Sequence, residues 1–339
     1  MLLHAIRSSL FPAVAGFCII LSSGCQTLNE DPEGPPTITD EMPLSEAVDL
    51  GIRHGSVTWQ QLLGQIKARK ASAGVREMLE EKILNDEVGT RPDETFRLIY
   101  LYQFTGNGVS LEVLRKLIRS GVPLQRQLGF QLAARSPSAG VRKLVENELS
   151  RSIWKGEEKR VLVPEMAIAA RTNQLTEAYT LVRRGLMEVG GVEFARTMID
   201  LNSEEATGDF MNYLAIATIE DLRQMNQVSV DVPTCMLILS HFIGNSVPVT
   251  HPKFDHLFLY AVSRNLGLAE LARKVLEKEM GMSREHLAFT LARMPVWIQV
   301  AWVEGSRDNL SPNLGLFMAE LKKATSHAEV VDEINSLRL

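Results

Sequence analysis

The chain has 339 residues, 45% hydrophobic and 23% charged, with a formal net charge of −5. That balance belongs to a globular protein with a sizeable core and excludes a wholly disordered chain. Three cysteines are too few for a disulfide framework.

The amino terminus reads as an export signal. His4 and Arg7 are the residues that can carry positive charge ahead of an apolar run, Leu10 to Leu21, broken only by Gly16 and one proline. Twelve residues are too few for a spanning helix, which needs about twenty. The run ends Leu21-Ser22-Ser23-Gly24-Cys25, small residues that suit a signal peptidase, followed at once by a cysteine. This resembles the lipobox of bacterial lipoproteins, with Ser22 where the family usually has Leu. The resemblance implies cleavage after Gly24 and acylation of Cys25, so residues 1–24 would be signal peptide. Several acyl chains hold a protein stably, since burial contributes about 0.8 kcal/mol per CH₂. In that family an Asp after the cysteine often retains the protein at the inner membrane. Gln26 therefore implies an outer-membrane anchor facing the periplasm. Cys18 leaves with the signal, and Cys235 remains as a small hydrophobe in an apolar run.

Residues 25–43 carry Glu30, Asp31, Glu33, Asp40 and Glu41 with Pro32, Pro35, Pro36 and Pro43, and few large apolar groups. This composition predicts a disordered tether between the lipidated cysteine and a folded region, residues 44–339.

From Leu44 onward the periodicity is helical. Val75, Met78, Leu79 and Ile83 follow i, i+3, i+4, i+8. So do Val141, Leu144, Val145 and Leu149; Ala178, Leu181, Val182 and Leu186; and Ala272, Val275, Leu276 and Met280. Glycine and proline punctuate the intervals, leaving room for helices of about ten to fifteen residues. Residues 68–83, ARKASAGVREMLEEKI, match residues 134–149, ARSPSAGVRKLVENEL, at eight of sixteen positions without a gap. Ala170-Arg171 and Ala292-Arg293 repeat the Ala-Arg that would end a first helix. The apolar frame recurs after thirty-seven residues between Val141 and Ala178. Repeats of this length predict an all-α fold, an α-α superhelix (α-solenoid) of helix pairs, with Gly74 and Gly140 at equivalent points just before a second helix. The string Ala133 to Arg142 resembles the turn of a HEAT repeat, and residues 168–186 are similar to a tetratricopeptide helix pair.

Motifs that demand catalytic chemistry are missing: no phosphate-binding loop, no HExxH and no nucleophile elbow. No cofactor, metal site, nucleic-acid contact or small-molecule substrate is expected, and no enzymatic activity. His241, His251, Asp255 and His256 form the best metal-like group, but Pro252 and the helical angles set them apart. Paired acids such as Glu157-Glu158 or Glu204-Glu205 read as a solvated face or as first-turn charges favoured by a helix dipole.

Two features point to binding. From Arg115 to Arg184 there are fourteen Lys or Arg against six Asp or Glu, inside an acidic chain. Arg115, Lys116 and Arg119, then Arg142 and Lys143, then Arg183 and Arg184 would fall on successive second helices and align into a stripe for an anionic partner. Met294 to Val303 is apolar apart from Gln299, which makes Trp297 and Trp302 candidates for a buried helix or an interface. The expectation is a lipid-anchored envelope scaffold or adaptor for a protein partner. The alternative is an envelope enzyme acting on peptidoglycan, or a regulator of one.

Overall fold

The computed structural model describes residues 36–85, 91–106, 108–154, 164–217, 221–222, 231–307 and 311–337. Every regular element among them is helical. The chain divides into two compact units: Met1–Lys82 with Val88–Gly106, and Ile83–Glu87 with Asn107–Leu339.

The first unit holds α1 (Leu44–His54), α2 (Ser56–Ala68), α3 (Ser72–Leu84) and α4 (Pro92–Phe104). α1 packs on α2 and α4. Gly51 permits the first contact, since a Cβ there would stand 2.4 Å from Leu62 Cδ2. Arg97 of α4 ties down the end of α1: its Nε donates to the Ile52 carbonyl at 2.6 Å and its Nη2 to that of Arg53 at 3.1 Å. Those carbonyls have no partner within α1, and a cation there also suits the negative end of the helix dipole.

The second unit runs α5 (Leu111–Ile118), α6 (Pro123–Arg135), α7 (Ala139–Trp154), α8 (Pro164–Thr172), a 3₁₀ turn (Thr176–Ala178) leading into α9 (Tyr179–Val189), and α10 (Val192–Leu214). It continues with α11 (Val232–Gly244), α12 (His256–Ala261), α13 (Leu266–Ala292), α14 (Val296–Glu304), α15 (Pro312–Ala324) and α16 (Ala328–Ser336). One series of packed neighbours is α6, α8, α10, α11, α13 and α15, each on the next. A second pairs α5 with α7, α12 with α14, and α14 with α16.

The apolar frames read from the sequence are the buried faces. Of the sixteen residues in the four frames, all are buried except Met78, which is half-buried. Helix starts follow local signals. Pro92, Pro123 and Pro312 stand at the first turn, where a missing N–H costs nothing. Asp231, Asn265 and Ser311 accept a backbone N–H two or three residues into α11, α13 and α15.

Two helices exceed the expected length, and both are bent. α10 has 23 residues and takes non-helical angles at Asn202; α13 has 27 and breaks at Ser283. Asn202 acts as an internal cap, its Oδ1 accepting from Glu205 N at 3.2 Å. Glu204 and Glu205 thus lie in the first turn of a restarted helix, the position at which a carboxylate is favoured.

The two matched segments have similar but not identical turns. α2 ends in a Schellman motif: Ala71 N donates to Ile66 O at 3.1 Å, Lys70 N to Lys67 O at 3.3 Å, and Lys70 sits at φ 52°. α8 ends the same way, with Gln174 at φ 53°. In residues 134–149 Lys70-Ala71 is replaced by Ser136-Pro137: Ser136 takes φ −129°, and Pro137 has no N–H to make the bond that Ala71 N makes. Ser138 instead caps α7, its Oγ accepting from Val141 N at 3.2 Å. Gly74 and Gly140 lie inside the first turns of α3 and α7 rather than before them.

At its far end the expected tether packs against the fold. Residues 36–42 run along α2. Thr58 Oγ1 donates to the Pro36 carbonyl at 2.9 Å, and Ile38 N donates to Gln61 Oε1 at 3.0 Å. Arg69 donates to the carbonyls of Met42 (3.0 Å), Thr39 (3.4 Å) and Asp40. Ile38, the one β-branched aliphatic residue there, is buried. A buried isoleucine, Arg69 and the side chains of Thr58 and Gln61 hold a segment that its composition marks as solvated.

Candidate functional site

Cys25 and the signal lie outside the described residues. Among the described residues no helix is long and apolar enough to cross a membrane.

The basic residues divide into two sets. α5 and α7 lie side by side and parallel. Gly140 meets Leu111, where a Cβ would stand 2.9 Å from Leu111 Cδ1, and Arg119 bonds Glu148 one helix-length further on. Both pairs are separated by 29 residues, so the two helices run in constant register. Arg115 is therefore level with Leu144, next to Lys143. Arg115, Arg142 and Lys143 are exposed, and Lys116 is half-buried. Arg119 is committed to the fold: Nε and Nη2 both reach Glu148 Oε1, at 2.8 and 2.5 Å, and Glu148 is 1% exposed.

Arg183 and Arg184 on α9 are engaged elsewhere. Arg183 Nε lies 2.8 Å from Asp209 Oδ1, whose other oxygen accepts from Tyr179 Oη at 3.0 Å. Burial, with the Asp209 hydrogen bond next, pushes the Tyr179 phenol up. Arg184 pairs with Glu188 at 2.6 Å, one turn along the same helix. The structure thus brings Arg115 and Lys143 to neighbouring levels of α5 and α7 and leaves α9 with its own carboxylates.

The two tryptophans part company. Trp302 is 1% exposed and wedged edge-on between Phe258 (5.5 Å) and Phe317 (6.2 Å), so it is core, not surface. Trp297 is 36% exposed. The one polar residue of this stretch, Gln299, points inward. Its Nε2 donates to the carbonyls of Ala292 (3.1 Å) and Met294 (2.8 Å), and its Oε1 accepts from Thr325 Oγ1 at 2.8 Å. Gln299 closes the end of α13 and ties α14 to the start of the α15–α16 turn. Apolar patterning alone could not reveal this, because the polar group serves backbone carbonyls rather than water.

The histidine group is dispersed. His241 contacts Thr207 Oγ1 at 3.2 Å and Asn245, and burial lowers its pKa. His251 Nδ1 accepts from Lys253 N at 3.2 Å, and His256 pairs with Asp255 at 3.0 Å. Among the described residues no group of three His, Cys, Asp or Glu is placed to hold a metal ion. Cys235 is buried with Sγ 3.5 Å from Tyr260 Oη, and burial pushes its thiol up to about 11. A thiol held protonated in this way is inert at neutral pH.

Comparison of the chain with protein-family models, with curated proteins and with solved structures finds no significant match.

Proposed function

We propose that this protein is a lipid-anchored scaffold or adaptor of the cell envelope, built as an α-solenoid that holds a protein partner against its surface. The order of packing in the second unit supports the solenoid: α6, α8, α10, α11, α13 and α15 pack each on the next, while α5 packs on α7, α12 on α14 and α14 on α16. The Leu21–Cys25 motif supports the anchor, with Gln26 favouring the outer membrane.

The observation that carries the binding role is the parallel register of α5 and α7. It sets Arg115 beside Lys143 and Arg142, on helices whose inward faces are fully used by Val113, Leu114, Leu117, Val141 and Val145. Such a face recruits a partner through charge, and its match is an acidic protein surface.

The test places a photo-crosslinking residue at Arg115 or Lys143 in cells and identifies what is captured. One envelope complex should be captured from both positions. Capture should weaken with added salt and fail when Arg115, Arg142 and Lys143 are all changed to Glu. Arg183 is left unaltered, because Arg183→Glu would face Asp209 and perturb the fold. If a folded, membrane-attached protein gives no common product from the two positions, this face has no scaffold role.

A further inference from the structure

The first unit carries an aromatic corner that the basic-face reading does not use. Phe96, Tyr100 and Phe104 follow one another at four-residue spacing along α4. Tyr100 is 41% and Phe104 46% exposed. Tyr100 meets Trp59 of α2 with ring centroids 6.0 Å apart and stacks on Phe96 at 6.3 Å. The adjoining α1–α2 turn exposes Arg53 and Val57. An exposed patch of large aromatic groups is costly in water and marks a contact surface.

The path of the chain identifies what the corner contacts. Residues 36–42 lie along α2 from Thr58 to Arg69, so the chain enters the fold at Thr58, the neighbour of Trp59. Cys25 is eleven residues before Pro36. Eleven residues span at most about 40 Å, so an acylated Cys25 would hold this end of the first unit close to the bilayer. Trp and Tyr rings favour the level of the lipid headgroups, where the apolar ring and the polar edge are both satisfied, and an arginine beside them suits anionic lipid.

We infer that the corner formed by Arg53, Val57, Trp59, Phe96, Tyr100 and Phe104 rests on the surface of the bilayer that anchors the protein. This rests on the lipid-anchor reading and adds a second, non-covalent membrane contact with a defined orientation.

The test reconstitutes the full acylated chain into vesicles of phosphatidylethanolamine and phosphatidylglycerol, with plain or brominated acyl chains, and records tryptophan emission. Brominated lipid should quench part of the emission, and Trp59→Phe should abolish that quenching while flotation with the vesicles stays the same. Tyr100→Ser with Phe104→Ser should reduce the quenching of Trp59, with an unchanged circular dichroism spectrum. A protein that floats with vesicles yet shows equal emission in plain and brominated lipid overturns the inference and leaves the anchor standing. The same result accompanied by concentration-dependent dimers, lost in Tyr100→Ser with Phe104→Ser, assigns the corner to a second copy instead. A chain that lacks acyl mass and does not float removes the anchor and this inference together.

Discussion

Arg119 approaches Glu148 with two of its nitrogens on one carboxylate oxygen, and Glu148 lies almost wholly out of water. The pair fixes the far end of the α5–α7 register while Leu111 and Gly140 fix the near end. Arg119→Ala would take the Arg119 cation away from a buried carboxylate. A fully buried pair broken in this way costs about 3–5 kcal/mol; here about 2 kcal/mol is expected because water still reaches the arginine. Arg119→Met combined with Glu148→Leu should recover most of the loss. Urea denaturation of the two variants beside the parent protein decides it, and a double variant less stable than Arg119→Ala would refute the assignment.

Gly185 is a close-approach glycine: a Cβ there would stand 2.2 Å from Phe194 Cε1, between α9 and α10. Gly185→Ala should destabilise by about 1–3 kcal/mol through overpacking. Gly64, in the middle of α2, has open space around its Cβ direction. Gly64→Ala should stabilise by about 0.5–1 kcal/mol. Thermal melts that move the same way for both would contradict the two environments.

The alkaline limb of stability should report Cys235. Its folded pKa is raised to about 11 from 9.0, so the folded state holds the proton more firmly than the unfolded chain. The contribution is complete below about pH 9 and is lost as pH rises through 11. Tyr213 and Tyr260, both raised first by burial, extend the loss to higher pH. His241 acts on the acid side: burial lowers its pKa below 6.5, so its contribution is present above 6.5 and lost as pH falls. Urea midpoints from pH 5 to 11 should form a dome, and Cys235→Ala should flatten its alkaline side between 9 and 11. An unchanged slope there would show that the thiol does not titrate with unfolding.

Gln299→Leu keeps the apolar character of α14 but abandons two carbonyls and the Thr325 hydroxyl. A loss of about 2–3 kcal/mol is expected, from buried polar groups left without partners. Val300→Ala on the half-buried side should cost less. Equal losses would mean that Gln299 acts by volume alone.

The helices and their buried faces were readable because an apolar stripe at 3.6-residue spacing must be covered, and the four frames were. The bends at Asn202 and Ser283 were not, since neither residue breaks the apolar pattern around it. Trp297 and Trp302 differ in fate though they share one apolar run. Five positions apart, they sit about 140° apart round the helix, and only packing decides which side faces in. The basic residues were visible as a block, and Arg184 with Glu188 stands at helical i, i+4 spacing, but which others bind carboxylates depends on Glu148 and Asp209 arriving from other helices. Ile38 and Arg69 carry no signal in the sequence, because one apolar residue among acids and prolines forms no pattern. The aromatic spacing of Phe96, Tyr100 and Phe104 was present in the sequence, but it reads the same whether the stripe faces in or out.

The strap of residues 36–42 on α2 has a mechanical consequence. Tension arriving from the N-terminal side enters the fold at Pro36, and the strap's bonds follow one another along α2 toward Arg69. A pull away from α2 therefore loads the Thr58 bond first, then the Gln61 bond, and only afterwards the bonds of Gln65 and Arg69. A pull along α2 loads them together. The joint peels at low force in one direction and resists in shear in the other, so the three carbonyls gathered by Arg69 are the last link between a tug on the N-terminal segment and the helices behind it.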